Sequence, residues 1–218
     1  QVHDIYNFSF IDQDDKRRYK LEDYQSLQFW PNNKIWRKIE PNIIRLYDGR
    51  IPEHDWYYRD FLYFPVLVNT KYVGGVYARK IVTKEGKDSG EISYINTPGK
   101  WTKTNLFGYD VAKKQKGGLW LEEGPRDVMK TRQVGGRAVG LLGAYLSKRK
   151  VELIQALDPP YIVAATDPDE AGEGVRVQIH DLLKDFPIID ANFPPKRDPG
   201  NFTRKSYHFM CNKLGIKG

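Results

Sequence analysis

Two acidic pairs hold the chemistry this chain could perform. Glu123 and Asp127 lie in Leu-Glu-Glu-Gly-Pro-Arg-Asp, and Asp167 and Asp169 lie in Ala-Thr-Asp-Pro-Asp-Glu-Ala-Gly. Each pair follows a short apolar run, Gly118 to Leu121 and Tyr161 to Thr166, of the length and make-up of a buried strand. Both clusters therefore fall at C-terminal strand edges, where open α/β sheets place their ligand crevices. Carboxylates gathered on neighbouring edges repel and raise one another's pKa unless a cation neutralises them. All-oxygen donors of this kind suit Mg²⁺ or Mn²⁺, and the usual work of such an ion is to organise phosphates. Asp-Pro and Asp-x-Asp also occur in surface turns and as helix caps. What points past those roles is the combination of two motifs about 40 residues apart, the size of a βαβ crossover unit.

The elements that would position these acids can be read from the periodicity. From Gly118 onward strand and helix alternate, with strands expected near 118–122, 137–142, 161–166 and 187–192, which predicts a parallel sheet covered by helices on both faces. Ser147 is the expected N-cap of a helix running through Leu157. Val175, Ile179, Leu182, Leu183 and Phe186 give the helix after the second motif one apolar face. Upstream, residues 61–95 alternate as in an antiparallel sheet, with a tight connection at Asn69-Thr70-Lys71 and a longer loop at Glu85 to Gly90. Residues 1–50, rich in charge and aromatics, have no clean period and read as an irregular subdomain with short helices.

At 218 residues and 40% hydrophobic content the chain can build real cores. Its longest apolar stretch, Phe61 to Val68, is too short to span a bilayer, and no N-terminal segment has the form of a secretory leader. The single Cys211 excludes internal disulfides and any Cys-rich zinc module, which leads us to expect a reducing, cytoplasmic setting. His3, His54, His180 and His208 are scattered without metal-ligand spacing. The chain opens on Gln1 rather than Met, as an excised piece would. A net charge of +7 suggests a polyanionic partner. Residues 1–110 hold 17 Lys and Arg against 15 Asp and Glu, and residues 111–218 hold 18 against 13, so the excess lies in the half with the acidic motifs. Lys113-Lys114-Lys116, Lys148-Arg149-Lys150 and Lys196-Arg197 are expected to frame the metal site as a track for a phosphate backbone. A solvated helix face is the plainer reading of the second cluster.

The two acidic motifs resemble the TOPRIM domain of DnaG-type primases, type IA and type II topoisomerases and some nucleases. The segments upstream single out the primases. Asp60-Phe-Leu-Tyr-Phe-Pro65-Val is similar to the primase segment Arg-x-x-Phe-Pro-Ile, and Tyr72-Val-Gly-Gly-Val-Tyr-Ala-Arg79 to Val-x-Gly-Phe-x-Gly-Arg. Tyr94-Ile-Asn96-Thr97-Pro98 resembles Tyr-Leu-Asn-Ser-Pro, and Leu106-Phe107-Gly108-Tyr109 resembles Leu-Tyr-Gly-Leu. Leu142-Gly143, followed by Ser147, is similar to the turn Ser-Leu-Gly-Thr-x-Leu-Thr. The likeness covers about residues 55–205 and is of the phage type. The chain departs from it twice: Gly200 stands where the third acidic element, begun by Asp198, has its second acid or Asn, and Ser93 stands where the family has Lys before Tyr-Leu-Asn-Ser-Pro.

The resemblance implies a TOPRIM-type α/β domain over residues 111–218, preceded by a smaller mixed α+β subdomain over 1–110. It implies the catalytic core of a DNA primase, a nucleotidyltransferase that makes short RNA primers on single-stranded DNA from NTPs with Mg²⁺ or Mn²⁺. Glu123, Asp167 and Asp169 would be catalytic metal ligands, with Asp127 in support and Asp198 peripheral. Arg79 and Lys80 would bind the nucleotide triphosphate; Asn96, Lys100, Lys103, Lys113 and Lys114 would touch nucleic acid. The implied partners are a replicative helicase and a separate zinc-binding module, because the chain holds neither a Gly-x-x-x-x-Gly-Lys-Ser/Thr loop nor a cysteine cluster. A TOPRIM nuclease, a topoisomerase fragment and a non-catalytic, DNA-binding primase relic remain as alternatives.

Overall fold

The structure, a computed structural model, describes the backbone of residues 28–29 and residues 35–52, 60–80, 93–194 and 197–217. The expected loop at 85–90, Lys196 and most of the N-terminal 50 residues lie outside that range. The chain divides into two compact units, Gln1–Trp101 and Thr102–Gly218.

The first unit is built on a five-stranded antiparallel sheet in sequence order: β1 (Gln28–Phe29), β2 (Arg50–Ile51), β3 (Phe61–Val68), β4 (Lys71–Arg79) and β5 (Tyr94–Asn96). The β3–β4 hairpin turns where the sequence places its tight connection. Asn69 and Thr70 both take positive φ, 52° and 65°, the backbone of a two-residue hairpin turn whose twist matches the strands. A short helix α1 (Pro41–Leu46) buries Ile43 and Ile44, and Trp36 packs on Phe64 with ring centroids 5.6 Å apart. Gly74 leaves room for the Trp101 indole, whose Nε1 donates to Thr97 O at 2.9 Å. Thr97 Oγ1 accepts from Gly75 N at 2.9 Å, so the Tyr94–Thr97 segment is pinned to β4.

The second unit is a four-stranded parallel sheet in the order β7-β6-β8-β9, from β6 (Leu119–Glu122), β7 (Arg137–Gly140), β8 (Ile162–Ala164) and β9 (Ile188–Asp190). The helices are α2 (Tyr109–Lys113), α3 (Pro125–Gln133), α4 (Lys148–Ala156), α5 (Glu170–Leu182) and α6 (Arg204–Leu214). The alternation of strand and helix and the parallel sheet are as the sequence predicts. Strands β6, β7 and β8 are buried along their whole length, as apolar runs covered on both faces must be. Ser147 caps α4, its Oγ accepting from Lys150 N at 3.3 Å, and Leu157 closes that helix. Val175, Ile179 and Leu183 form the buried stripe of α5 and its C-cap. Leu182 is 47% exposed instead, because the strict i, i+4, i+8 row runs through its neighbour. Trp120, Phe202 and Tyr207 stack with centroids 5.4–5.6 Å apart, which seats α6 and the segment before it against β6. No helix among the described residues is long and apolar enough to cross a membrane.

Candidate functional site

Strands β6 and β8 are immediate neighbours, paired from Leu119↔Ile162 to Leu121↔Ala164. Both acidic motifs leave from their C-terminal ends, so the two strand ends that carry them are neighbours, as the spacing predicts. Glu123 Oε1 accepts from the backbone N of Asp167 at 2.8 Å and ties the two strand ends together. Asp127 Oδ2 accepts from Gly124 N at 3.2 Å at the start of α3. Asp169 is the N-cap of α5, with Oδ1 accepting from Gly172 N at 2.8 Å. The capping role open to any Asp at a helix start is thus realised by two of the acids, each through one oxygen. Gly172 has to be glycine here: a Cβ would lie 3.0 Å from the backbone N and C of Asp167 and closer still to its carbonyl oxygen.

Asp198 stands at the N-cap position of the 3-10 turn Pro199–Asn201, and Asn201 Nδ2 donates to its Oδ1. Gly200 packs against Asp127 Oδ1 and the guanidinium of Arg126, so the residue standing where the family pattern has an acid faces a cation and a carboxylate. The carboxyl of Asp127 is pushed up to about 7, first by loss of water around it, then by the charges of Asp198 and Asp167; Arg126 and the Gly124 N–H pull the other way.

Glu122 was passed over by the motif spacing, which selects Glu123. It is wholly buried. Its Oε1 accepts from Thr131 Oγ1 at 2.5 Å, while Oε2 has no hydrogen-bond partner. Burial raises its pKa well above the carboxylate range, the charge of Asp127 adds to that, Thr131 opposes it and Asp198 adds again. Strand alternation was the available signal, since adjacent residues on β6 point to opposite faces. Arg176 was also missed. From the second turn of α5 it reaches back to Thr166 Oγ1, the residue that precedes Asp167, at 3.2 Å, and to Glu173 at 2.6 Å.

Among the described residues, no group of three or more His, Cys, Asp or Glu side chains converges closely enough to hold a metal ion. The donor chemistry nevertheless fits a hard divalent cation, being entirely carboxylate on adjoining strand ends. Burial is the largest cause of the raised Asp127 carboxyl, and the charges of Asp198 and Asp167 add to it, as neighbouring acids do.

The remaining expected residues are more dispersed. Arg79 ends β4 with its guanidinium 4.7 Å from the centroid of the Phe61 ring, and Lys80 follows it. Asn96 is exposed at the end of β5, and Lys100 is exposed after it. Lys103 is exposed in the turn Trp101–Lys103 that joins the two units. Lys113 and Lys114 are exposed at the C-terminus of α2. The chain enters β6 only after them, whereas the carboxylates lie where β6 ends, a strand's length away. A parallel strand sends entry and exit to opposite edges, and positive charge at a helix C-terminus is locally favourable. The structure therefore does not bring Lys113 and Lys114 to the acids. Lys150 is buried, so the basic run at 148–150 is not a surface triad.

No protein-family profile matches the sequence, and no curated protein does. Solved structures do match. The zinc-binding and RNA polymerase domains of the Aquifex aeolicus primase superpose with a TM-score of 0.62 at 18% identity, covering 81% of this chain and 53% of that one. A DnaG primase catalytic domain bound to single-stranded DNA gives 0.64 at 14% identity, covering 81% and 68%. The primase fragment of the bacteriophage T7 primase-helicase protein gives 0.60 at 17% identity, covering 82% and 72%. The chain thus has an α/β fold of the primase type. More particularly, it has the fold of the DnaG catalytic core, and it spans about half the length of the solved Aquifex chain of zinc-binding and RNA polymerase domains.

Proposed function

We propose that the protein is a DNA primase core, a nucleotidyltransferase that joins NTPs into short RNA on single-stranded DNA. The observation that carries this reading is the meeting of Glu123 and Asp167 at the C-terminal ends of two paired strands, in a fold shared with DnaG cores at TM-scores of 0.60 and above. The likeness covers 81% of the chain, more than the unit Thr102–Gly218 alone can supply, and this favours a primase over a TOPRIM nuclease.

Asp167, Asp169 and Glu123 would hold Mg²⁺ or Mn²⁺, with Asp127 and Asp198 around them. The ion would supply charge neutralisation for the attacking 3′ oxygen and the departing pyrophosphate. Glu123 fixes the backbone of Asp167 and holds it in register with the end of β6. Asp127 and Asp169 keep one oxygen each on a helix start, which limits how far their carboxylates can swing. Glu123 is also proposed to take the proton from the attacking hydroxyl. Arg79 and Lys80 are proposed to bind the triphosphate, and Asn96, Lys100, Lys103, Lys113 and Lys114 the template. A separate zinc-binding module and a replicative helicase are the proposed partners, and the cytoplasm is the proposed place of work. Template affinity resting on such cations is sequence-tolerant and falls steeply with salt.

The test is incubation of single-stranded DNA with labelled NTPs and Mg²⁺ or Mn²⁺. Short RNA products, abolished in a folded Asp167→Asn variant, are expected. Cut template without RNA would replace the primase reading with the nuclease one, and an Asp167→Asn variant as active as wild type would end the metal assignment.

A further inference from the structure

Among the described large apolar residues exposed in the second unit, Val177, Leu182 and Phe209 sit on helices, whereas Tyr145 sits on a loop and is 60% exposed. That loop, residues 141–147, leaves β7 at the sheet edge where the acidic motifs begin. It is held unusually firmly for so short a connection. Leu141 N donates to Glu122 O at 2.8 Å and Leu142 N to Glu123 O at 3.1 Å. Lys150 Nζ, from a buried side chain, donates to Leu141 O and to Tyr145 O, the latter at 3.0 Å. Gln178 reaches across from α5, its Oε1 accepting from Leu146 N at 3.0 Å and its Nε2 donating to Ala144 O at 3.3 Å. Leu142 and Gly143 take positive φ, 58° and 133°, and Leu146 is buried. The backbone on both sides of Tyr145 is therefore fixed, while the ring itself is left in water.

We propose that Tyr145 is a stacking platform for a nucleobase beside the carboxylate site. A rigid aromatic ring with few rotatable bonds binds a planar partner at low entropic cost. Every base offers a π-face, so such a platform is sequence-tolerant, as a core that copies arbitrary template needs. The surroundings fit a polyanion: Lys148 and Arg149 are exposed in the turn after the loop, and Arg149 keeps an ion pair with Glu152 at 2.8 Å. Two cations opening a helix are disfavoured by its dipole, and a phosphate backbone passing over them reverses that sign. The inference rests on the primase reading for the identity of the ligand, but its test needs no synthesis.

Binding of fluorescent oligo-dT and of an abasic oligonucleotide of equal length is measured in EDTA at two salt concentrations, for wild type, Tyr145→Ala and Tyr145→Phe. NTP binding is measured by calorimetry on the same proteins. Tyr145→Ala should weaken oligo-dT binding roughly tenfold, by the same factor at both salts, and leave abasic binding unchanged; Tyr145→Phe should bind as wild type does. A loss seen with NTP rather than with oligo-dT would assign the base to the incoming nucleotide. The proposal is overturned by a Tyr145→Ala protein that binds both ligands normally, by a loss shared with the abasic strand, or by a wild type indifferent to the missing bases. A wild type that makes no RNA but shows the base-dependent loss would end the primase reading and leave the stacking site standing.

Discussion

Two glycines in α5 make opposed predictions from one helix. Alanine at an exposed helical glycine stabilises a protein by about 0.5–1 kcal/mol, because the unfolded chain has less freedom to lose. Gly174 is such a position, with nothing within 4 Å of where its Cβ would be. Gly172 is not, since its Cβ would press within 3.0 Å of the Asp167 backbone. Ordinary contact is about 3.5 Å or more, so the first turn of α5 or the Asp167 peptide must move by at least about half an ångström. Overpacking of this kind costs about 1–3 kcal/mol, and movement of the turn also loosens the 2.8 Å Asp169 cap. Gly174→Ala should therefore raise the melting temperature by about 1–4 °C, whereas Gly172→Ala should lower it by about 2–12 °C. If the carboxylates act as proposed, primer synthesis should fall by about a hundredfold in Gly172→Ala alone, because Asp167 moves with its backbone. Thermal unfolding followed by circular dichroism, with the RNA assay alongside, reads both effects. A Gly172→Ala protein more stable than wild type would show that Asp167 does not stand where this reasoning puts it.

Arg137, buried at the start of β7, donates to Ala112 O, Gly117 O and Leu157 O at 2.9, 3.0 and 2.7 Å. Arg137→Met should cost about 3–5 kcal/mol in urea unfolding, with partial recovery in Arg137→Lys, and a loss under about 1 kcal/mol would contradict the staple. Burial lowers the Lys150 ammonium to about 8, against 10.5 when unfolded. Between those values the unfolded state binds more protons, so wild type should gain up to about 3 kcal/mol relative to Lys150→Met as pH rises from 8 to 10.5; a flat difference would show the amine is not desolvated. Arg79→Ala should raise KM for NTP while changing single-stranded DNA affinity little, and the reverse pattern in filter binding and kinetics would move Arg79 to the template.

The parallel sheet was legible because buried strands are written as unbroken apolar runs, and Gly118 to Leu121 and Tyr161 to Thr166 could hardly be read otherwise. The meeting of Glu123 and Asp167 followed from that, since both motifs begin where a run ends. Strand ends were read one or two residues too long at 137–142 and 187–192. Leu141 and Leu142 keep the apolar character of a strand while their N–H groups turn to Glu122 and Glu123 carbonyls. The basic residues were harder to place, because charge along the sequence carries no sign of which sheet edge it will reach. Lys113 and Lys114 went to the entry side of β6, and Lys150 went inside to hold backbone carbonyls. Arg126 left no motif at all, because its neighbour Gly200 comes from a distant part of the chain.

The strand order β7-β6-β8-β9 puts both motif-bearing strands in the interior of the sheet. Fraying begins at edge strands, and β7 and β9 hold those positions, β7 with a Phe107–Gly140 bridge at the end of its outer side, so local opening can strip either flank without parting β6 from β8. In amide hydrogen exchange, the N–H groups of Trp120, Leu121, Val163 and Ala164 should be among the last in the second unit to take up deuterium, released only by global unfolding. The carboxylates would then be anchored to the part of the molecule that opens least often, and their spacing would survive every fluctuation short of losing the fold.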